Sequence, residues 1–309
     1  MPQLGSLRAT FVTGCHTVKA FGAALALSLT VRDLTVLSHA APPAPVIQTD
    51  VAYGPDPSET LDVCRPVTEN QRARAVLLVH GGGWTTGDKH DYLGLCNRIA
   101  QRGMVGFAVN YRLVMGPKGP MWPAPLVDVQ LAVRWTRAHV VEFGVDPGQV
   151  CALGGSAGAQ LVVTLASMAT IQPGDRQQEF AEISPKIDCA VDIVGPVDFT
   201  TWQLPAEFLV RMFGTLTPKA LHSAKQKASP LFLIDSHTAP MLIVQGIDDA
   251  VVPPEQASRL FTALKQNGVR AALVMVPGDH GLQALPPEQF SAVEELELAF
   301  IRTSPVRPH

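Results

Sequence analysis

"QVCALGGSAGAQL", residues 149–161, is the stretch whose reading decides the fold. Its first half, "QVCALGG", is a short apolar run that ends in two glycines. Its second half opens "AGAQLVVTLASMA", residues 157–169, an apolar run of helical length. Only small residues separate the two. A strand that turns sharply into a helix needs small residues at that corner, and strand–turn–helix is the repeating step of an α/β sheet.

The alternation continues on both sides. "AVLLVH" (75–80), "MVGFAVNY" (104–111), "CAVDIVG" (189–195), "PMLIVQG" (240–246) and "AALVMVPG" (271–278) read as strands. Most are apolar throughout rather than alternating, as expected of strands covered on both faces in a parallel sheet. Between them, residues 91–103, 125–144, 254–268 and 287–303 read as helices, two of them ending at Gly103 and Gly268 behind basic last turns. The pattern predicts an α/β fold: a mostly parallel central sheet with helices on both faces. Chemistry in such folds sits in the loops after the strands. Residues 199–239 break the rhythm and are predicted to be a short lid inserted over those strand ends.

The chain has 309 residues, a net charge of −3, 47% apolar and 17% charged residues. That is room for one large core. The absence of a basic stripe excludes a nucleic-acid partner as the leading reading. The first 40 residues differ from the rest. Arg8 and Lys19 precede an apolar run, Ala20–Val31, and small Ser38 and Ala40 stand before "APPAP". This predicts a signal peptide over residues 1–40, a mature domain over 41–309, and a periplasmic or secreted protein. Arg32 and Asp33 interrupt the pattern, and the apolar run is too short for a stable membrane span. Cys64, Cys96, Cys151 and Cys189 form no CxxC pair and no metal spacing, and read as small buried apolar side chains. A single disulfide stays open if the protein is exported.

Within the opening stretch, Gly154–Gly158 is G-x-S-x-G in the context that motif requires. The corner strains the backbone of Ser156 and exposes its hydroxyl beside the first amides of a helix. A serine nucleophile needs a base, and the base needs an orienting acid. His280, in "PGDHGL" directly after the last predicted strand, is where a base should sit. The acid should follow the previous strand, where "QGIDDAVVP" offers Asp248 and Asp249. Adjacent aspartates point differently, so one of them reaches His280.

"LLVHGGGWTTGD", residues 77–88, supplies the remaining part. Attack on a carbonyl places negative charge on oxygen, which needs N–H donors that approach closely. Ala157 offers one, and Gly82 and Gly83 the others, because a chain without side chains lets the oxygen come near. His80 is read as a brace for that loop. The run lacks the lysine and the spacing of phosphate-binding glycine loops.

Taken together, "LDVCRP" (61–66), "HGGGW" (80–84), "GD" (87–88), "NYRL" (110–113), "GGSAGAQL" (154–161), "SPL" (229–231), "GIDDAVVP" (246–253) and "GDHGL" (278–282) resemble the esterase and lipase branch of the α/β-hydrolase superfamily that bears the HGGG motif. The closest likeness is to short-lidded carboxylesterases such as bacterial feruloyl and acetyl-xylan esterases. The resemblance implies a serine hydrolase without cofactor or metal that acts on small-molecule carboxylic esters, short-chain or aromatic. In that family the acid stands three residues after the glycine that ends its strand, which selects Asp249. Gly155 departs from the His, Asp or Glu frequent in relatives, and Ala159 from a frequent glycine. Trp84, Trp122 and Trp202 lie in loops that should border the cleft and could stack on an aromatic group of a substrate. An arylformamidase-like amide hydrolase is the second reading, and a catalytically silent small-molecule receptor the third.

Overall fold

The computed structural model describes residues 44–67, 72–167, 179–282 and 284–305. The predicted signal peptide, residues 1–40, lies outside them. The described residues hold eight strands: β1 (Val46–Ala52), β2 (Thr60–Arg65), β3 (Ala73–Val79), β4 (Val105–Val109), β5 (Val145–Gly155), β6 (Cys189–Ile193), β7 (Met241–Gly246) and β8 (Ala271–Val276). They form one sheet in the order β1-β2-β4-β3-β5-β6-β7-β8. β2 pairs antiparallel with both β1 and β4, and every other pair is parallel.

Helices cover both faces: α1 (Leu93–Gln101), α2 (Ala124–Ala138), α3 (Val140–Phe143), α4 (Ala157–Ser167), α5 (Ala206–Phe213), α6 (Pro218–Ala228), α7 (Glu255–Gln266) and α8 (Pro287–Thr303). The two-residue period of β3 divides the core. Ala75, Leu77 and Val79 pack with Val129, Leu161 and Leu260 of α2, α4 and α7. Val76 and Leu78 face the other way, toward Leu95 and Ile99 of α1 and Leu298 and Ile301 of α8. β3 is therefore buried along its whole length, which is why it reads as a continuous apolar run.

All six strands read from the sequence are present, and β5 begins earlier, at Val145. β1 and β2 carry weak apolar signals. β1 is almost wholly exposed. β2 buries a charged residue, Asp62, which Lys89 reaches at 2.7 Å. The helix read over 125–144 breaks at His139, whose backbone leaves helical geometry while its ring stacks on Trp135. The segment 199–239 holds α5, α6 and a 3-10 turn, Pro230–Leu233.

The cysteines require a correction. They are buried as expected, but they are paired rather than free: Cys64 with Cys96 and Cys151 with Cys189. Cys151 and Cys189 are register partners on β5 and β6, with Cα atoms 4.6 Å apart. Cys96 lies on α1, which packs over β2 and so over Cys64. Separations of 32 and 38 residues carry no trace of this adjacency in the linear chain. Among the described residues no helix is long and apolar enough to cross a membrane.

Candidate active site

The turn from β5 into α4 places Ser156 at φ 53°, a left-handed backbone that a serine adopts only where its surroundings impose it. Gly158 makes the turn possible. A Cβ there would lie 2.0 Å from the carbonyl oxygen of Val79, so the start of α4 is pressed against the end of β3. The N–H of Ser156 donates to the Ile193 carbonyl at 2.8 Å, which ties the turn to β6.

His280 follows β8 and Asp249 follows β7, and their side chains meet. The distance from His280 Nδ1 to Asp249 Oδ2 is 2.8 Å, and from His280 Nε2 to Ser156 Oγ is also 2.8 Å. An ionised carboxylate only accepts, so Nδ1–H donates to it and Nε2 accepts from the serine hydroxyl. Asp249 is buried and held from every side. Its Oδ1 accepts from the N–H groups of Val251 and Val252, at 2.9 and 2.8 Å. Its Oδ2 also accepts from Gln245 Nε2 at 3.0 Å. Asp248 and Asp279 are exposed and take no part.

The glycine loop lies over the serine. A Cβ on Gly81 would come within 3.4 Å of Ser156 Cβ. Gly82 has φ 101°, and its carbonyl turns away to accept from the N–H groups of Thr85 and Thr86. The N–H groups of Gly82 and Gly83 donate to no backbone carbonyl among the described residues. The N–H of Ala157, first residue of α4, is one of the donors that a helix start leaves without an intrahelical partner.

The loop is braced by the other short motifs. His80 is buried, which pushes its ring below the ordinary histidine range, and it stacks on Tyr111 at 4.2 Å. The Tyr111 hydroxyl donates to the His80 carbonyl at 3.0 Å. Asn110 donates to Asp88 at 3.0 Å and accepts from the Lys89 N–H at 2.7 Å. Arg112 clamps Asp128 of α2. Thus "GD" and "NYRL" hold one another and fix where the glycines sit.

A cavity of about 750 Å³ opens onto Ser156 and His280. One side is aromatic, with Trp84, Trp202 and Phe208. Trp84 is fixed by an indole N–H donated to Gln160 at 3.1 Å, and Trp202 by one donated to the Val251 carbonyl at 3.1 Å. Trp122 does not line this cavity, contrary to the expectation for it. It precedes Pro123 at the entry to α2, where it packs on the core and donates its backbone N–H to Met212.

Sequence reasoning missed the opposite side, built from α1 and α8. Tyr92 stands against the elbow, and a Cβ on Gly155 would lie 2.9 Å from its hydroxyl. The departure at Gly155 therefore makes room for Tyr92. Glu297 of α8 also lines the cavity, and burial pushes its carboxyl up to about 8, with Glu294 adding to the effect. The available signal was an acid at helical spacing within the apolar stripe Phe290, Val293, Ile301.

Comparison with known proteins places this geometry in a family context. The family model BD-FAE matches residues 61–264. A probable carboxylic ester hydrolase of Mycobacterium tuberculosis, LipM, is 32% identical over 70% of this chain and 51% of its own length. Esterase LipC of the same organism is 30% identical over 76% of this chain and 60% of its own length. The chain thus spans little more than half the length of such relatives. A truncated carbohydrate esterase from gut microbiota superposes with a TM-score of 0.73 at 22% identity, covering 84% of this chain and 97% of that one. The propionate-bound esterase Est2 of Thermogutta terrifontis does so with a TM-score of 0.68 at 24% identity, covering 86% and 97%.

Proposed function

The chain belongs to the BD-FAE family, of α/β-hydrolase fold, and from that premise we propose that it is a serine carboxylic-ester hydrolase working through an acyl-enzyme. The observation that carries the reading is the continuous chain from Ser156 Oγ through His280 to the buried Asp249, with 2.8 Å at both steps.

In this reading Ser156 Oγ attacks the ester carbonyl while His280 Nε2 takes its proton. Asp249 holds the imidazole in the tautomer that can accept and stabilises the imidazolium that forms. Negative charge on the carbonyl oxygen is met by the N–H groups of Gly82, Gly83 and Ala157. One such donor is worth about 3–4 kcal/mol in a related chemistry. Collapse expels the alcohol, which receives the proton from His280. His280 then deprotonates a water that releases the acid and restores the serine. The aromatic side of the cavity, Trp84 and Trp202 with Phe208, supports a preference for short-chain or aromatic esters. Residues 199–239, which contribute Trp202 and Phe208, act as the lid.

The two buried disulfides support an exported protein, since such bonds persist in oxidising compartments. The apolar run at Ala20–Val31 is the signal for export in this reading.

The test is hydrolysis of p-nitrophenyl acetate, butyrate and dodecanoate by the wild type and Ser156→Ala. Loss of the serine should lower turnover on the order of a million-fold. Acetate and butyrate should turn over faster than dodecanoate. Equal rates in the two proteins would remove Ser156 as nucleophile, and preference for the long chain would remove the short-ester assignment.

A further inference from the structure

The side of the cavity formed by α1, α8 and the loop before α8 is apolar at Leu95, Leu282, Phe290 and Val293. Glu297 stands among them. It is 4% exposed, and among the described residues no hydrogen bond or ion pair reaches its carboxyl. Its neighbour Glu294, one helical turn earlier on the same face, is different. It forms a two-pronged ion pair with Arg98 of α1, at 2.5 and 2.6 Å. Arg98 is therefore occupied and does not neutralise Glu297. The other charged group on this side, Asp91, is negative.

The Glu297 carboxyl oxygens are not sealed from solvent but open onto the cavity, where their surroundings are otherwise apolar. A carboxyl that faces a substrate cavity has a partner whenever a substrate supplies it. We propose that Glu297 is a specificity residue, which donates a hydrogen bond from its carboxyl to an uncharged oxygen on an otherwise apolar part of the ester. This deepens the ester-hydrolase reading and rests on it.

The chemistry of the donor follows from its surroundings. Burial and the negative Glu294 hold Glu297 up to about 8, so at pH 7 it carries its proton and offers an O–H. The acceptor must then be a hydroxyl, ether or carbonyl oxygen. A carboxylate on the substrate would meet Asp91 and find Arg98 already taken by Glu294. An ammonium group would require Glu297 to ionise among apolar side chains. Tyr92, against the elbow, interacts electrostatically with Glu297, and burial pushes its hydroxyl well above the ordinary tyrosine range, so it stays neutral beside it.

The experiment compares matched esters with and without a ring oxygen, on either side of the scissile bond. Methyl 3-phenylpropanoate is paired with methyl 3-(4-hydroxyphenyl)propanoate. Phenethyl acetate is paired with 2-(4-hydroxyphenyl)ethyl acetate. An ammonium-bearing phenethyl acetate completes the set. In at least one pair the wild type should favour the oxygen-bearing ester about tenfold or more in kcat/KM. Glu297→Leu should abolish that preference, with kcat/KM falling further on the oxygen-bearing ester than on the plain one. Glu297→Gln, which keeps an N–H donor in the same shape, should retain the preference and remain folded.

Three results would overturn the proposal: no preference in the wild type, equal loss on both members of a pair in Glu297→Leu, or a Glu297-dependent preference for the ammonium ester. If Glu297→Leu does not fold, the wild-type preference and its behaviour in Glu297→Gln decide. The ester reading fails separately, if no ester is hydrolysed or if Ser156→Ala is as active as the wild type.

Discussion

Asp249→Asn is the sharpest test of the proposed triad, because the structure dictates how the amide must sit. Oδ1 of Asp249 accepts from two backbone N–H groups, those of Val251 and Val252. In the variant the amide oxygen must face these donors, since turning the NH₂ toward them would oppose donor to donor. The NH₂ then points at His280 Nδ1, where it donates. That bond stabilises the tautomer with its proton on Nε2, and Nε2 can no longer accept from Ser156. The fold should tolerate the change. Gln245 Nε2 faces the same position and also donates to the Gly246 and Val252 carbonyls, so the new NH₂ displaces one side-chain hydrogen bond while both backbone bonds to the Oδ1 position remain. The same substitution in a well-studied serine protease lowers kcat by about 10⁴, equal to about 5 kcal/mol of transition-state stabilisation. We expect a loss of about 10⁴ in kcat on p-nitrophenyl acetate, with the thermal midpoint within about 3 °C of wild type. Asp248→Asn, at an exposed carboxylate, should keep activity within about twofold. An Asp249→Asn enzyme that retained a tenth of wild-type kcat, or an Asp248→Asn enzyme that lost activity instead, would refute the reasoning.

Gly82→Ala places a Cβ 2.2 Å from the Thr86 carbonyl oxygen at a φ of 101°, so the loop must shift; kcat should fall about 100-fold with little change in KM, and steady-state kinetics that gave a normal kcat would remove Gly82 from the oxyanion hole. Asp192, wholly buried on β6 with one oxygen accepting from the Gly195 N–H, is pushed by burial from an ordinary 3.8 up to about 7. Its protonated form is favoured in the folded state, so its contribution to stability is full below 3.8 and lost as pH rises through about 7. Asp192→Asn removes that loss: its unfolding free energy should match wild type near pH 4 and exceed it by about 4 kcal/mol at pH 8, as read from urea titrations, and a difference that does not change with pH would contradict it. Reducing the two disulfides should cost about 2–4 kcal/mol each, read as a lower midpoint in calorimetry with reductant under denaturing exchange, and an unchanged midpoint with verified free thiols would count against a stabilising role.

The parts of this protein that a linear reading captured share one physical property: each is decided within a few residues of itself. Whether β3 is covered on both faces is written in its own unbroken apolar run. Whether Ser156 stands on a sharp corner is written in the glycines beside it, since Gly158 alone must admit the Val79 carbonyl at a distance no side chain allows. The order serine, acid, histidine is a property of the sheet, so it points to His280 and leaves two adjacent residues as candidates for the acid. Their separation came from the family likeness, and the structure gives its cause: the turn after β7 buries Asp249 under two backbone N–H groups and leaves Asp248 in solvent.

What escaped the linear reading depends on which elements meet. Apolar periodicity tells that a side chain faces a core, not what stands opposite. Cys151 and Cys189 read as buried in the sequence, and they are, but the register of β5 against β6 is what makes them a pair. Trp122 sits in a loop after a strand, as Trp84 does, yet the entry to α2 carries it to the core and away from the cavity. Glu297 is the strongest case. On α8 it occupies a core-facing position, where an acid is an anomaly. Its meaning depends on α1, more than 190 residues earlier, whose Arg98 is taken by Glu294 and so leaves Glu297 alone before the cavity. Had Arg98 paired with Glu297 instead, the same two helices would be joined by a salt bridge and the cavity would lose its unpartnered donor. The choice between a structural ion pair and a substrate contact is thus made by one arginine, and the matched-ester experiment reads the consequence of that choice.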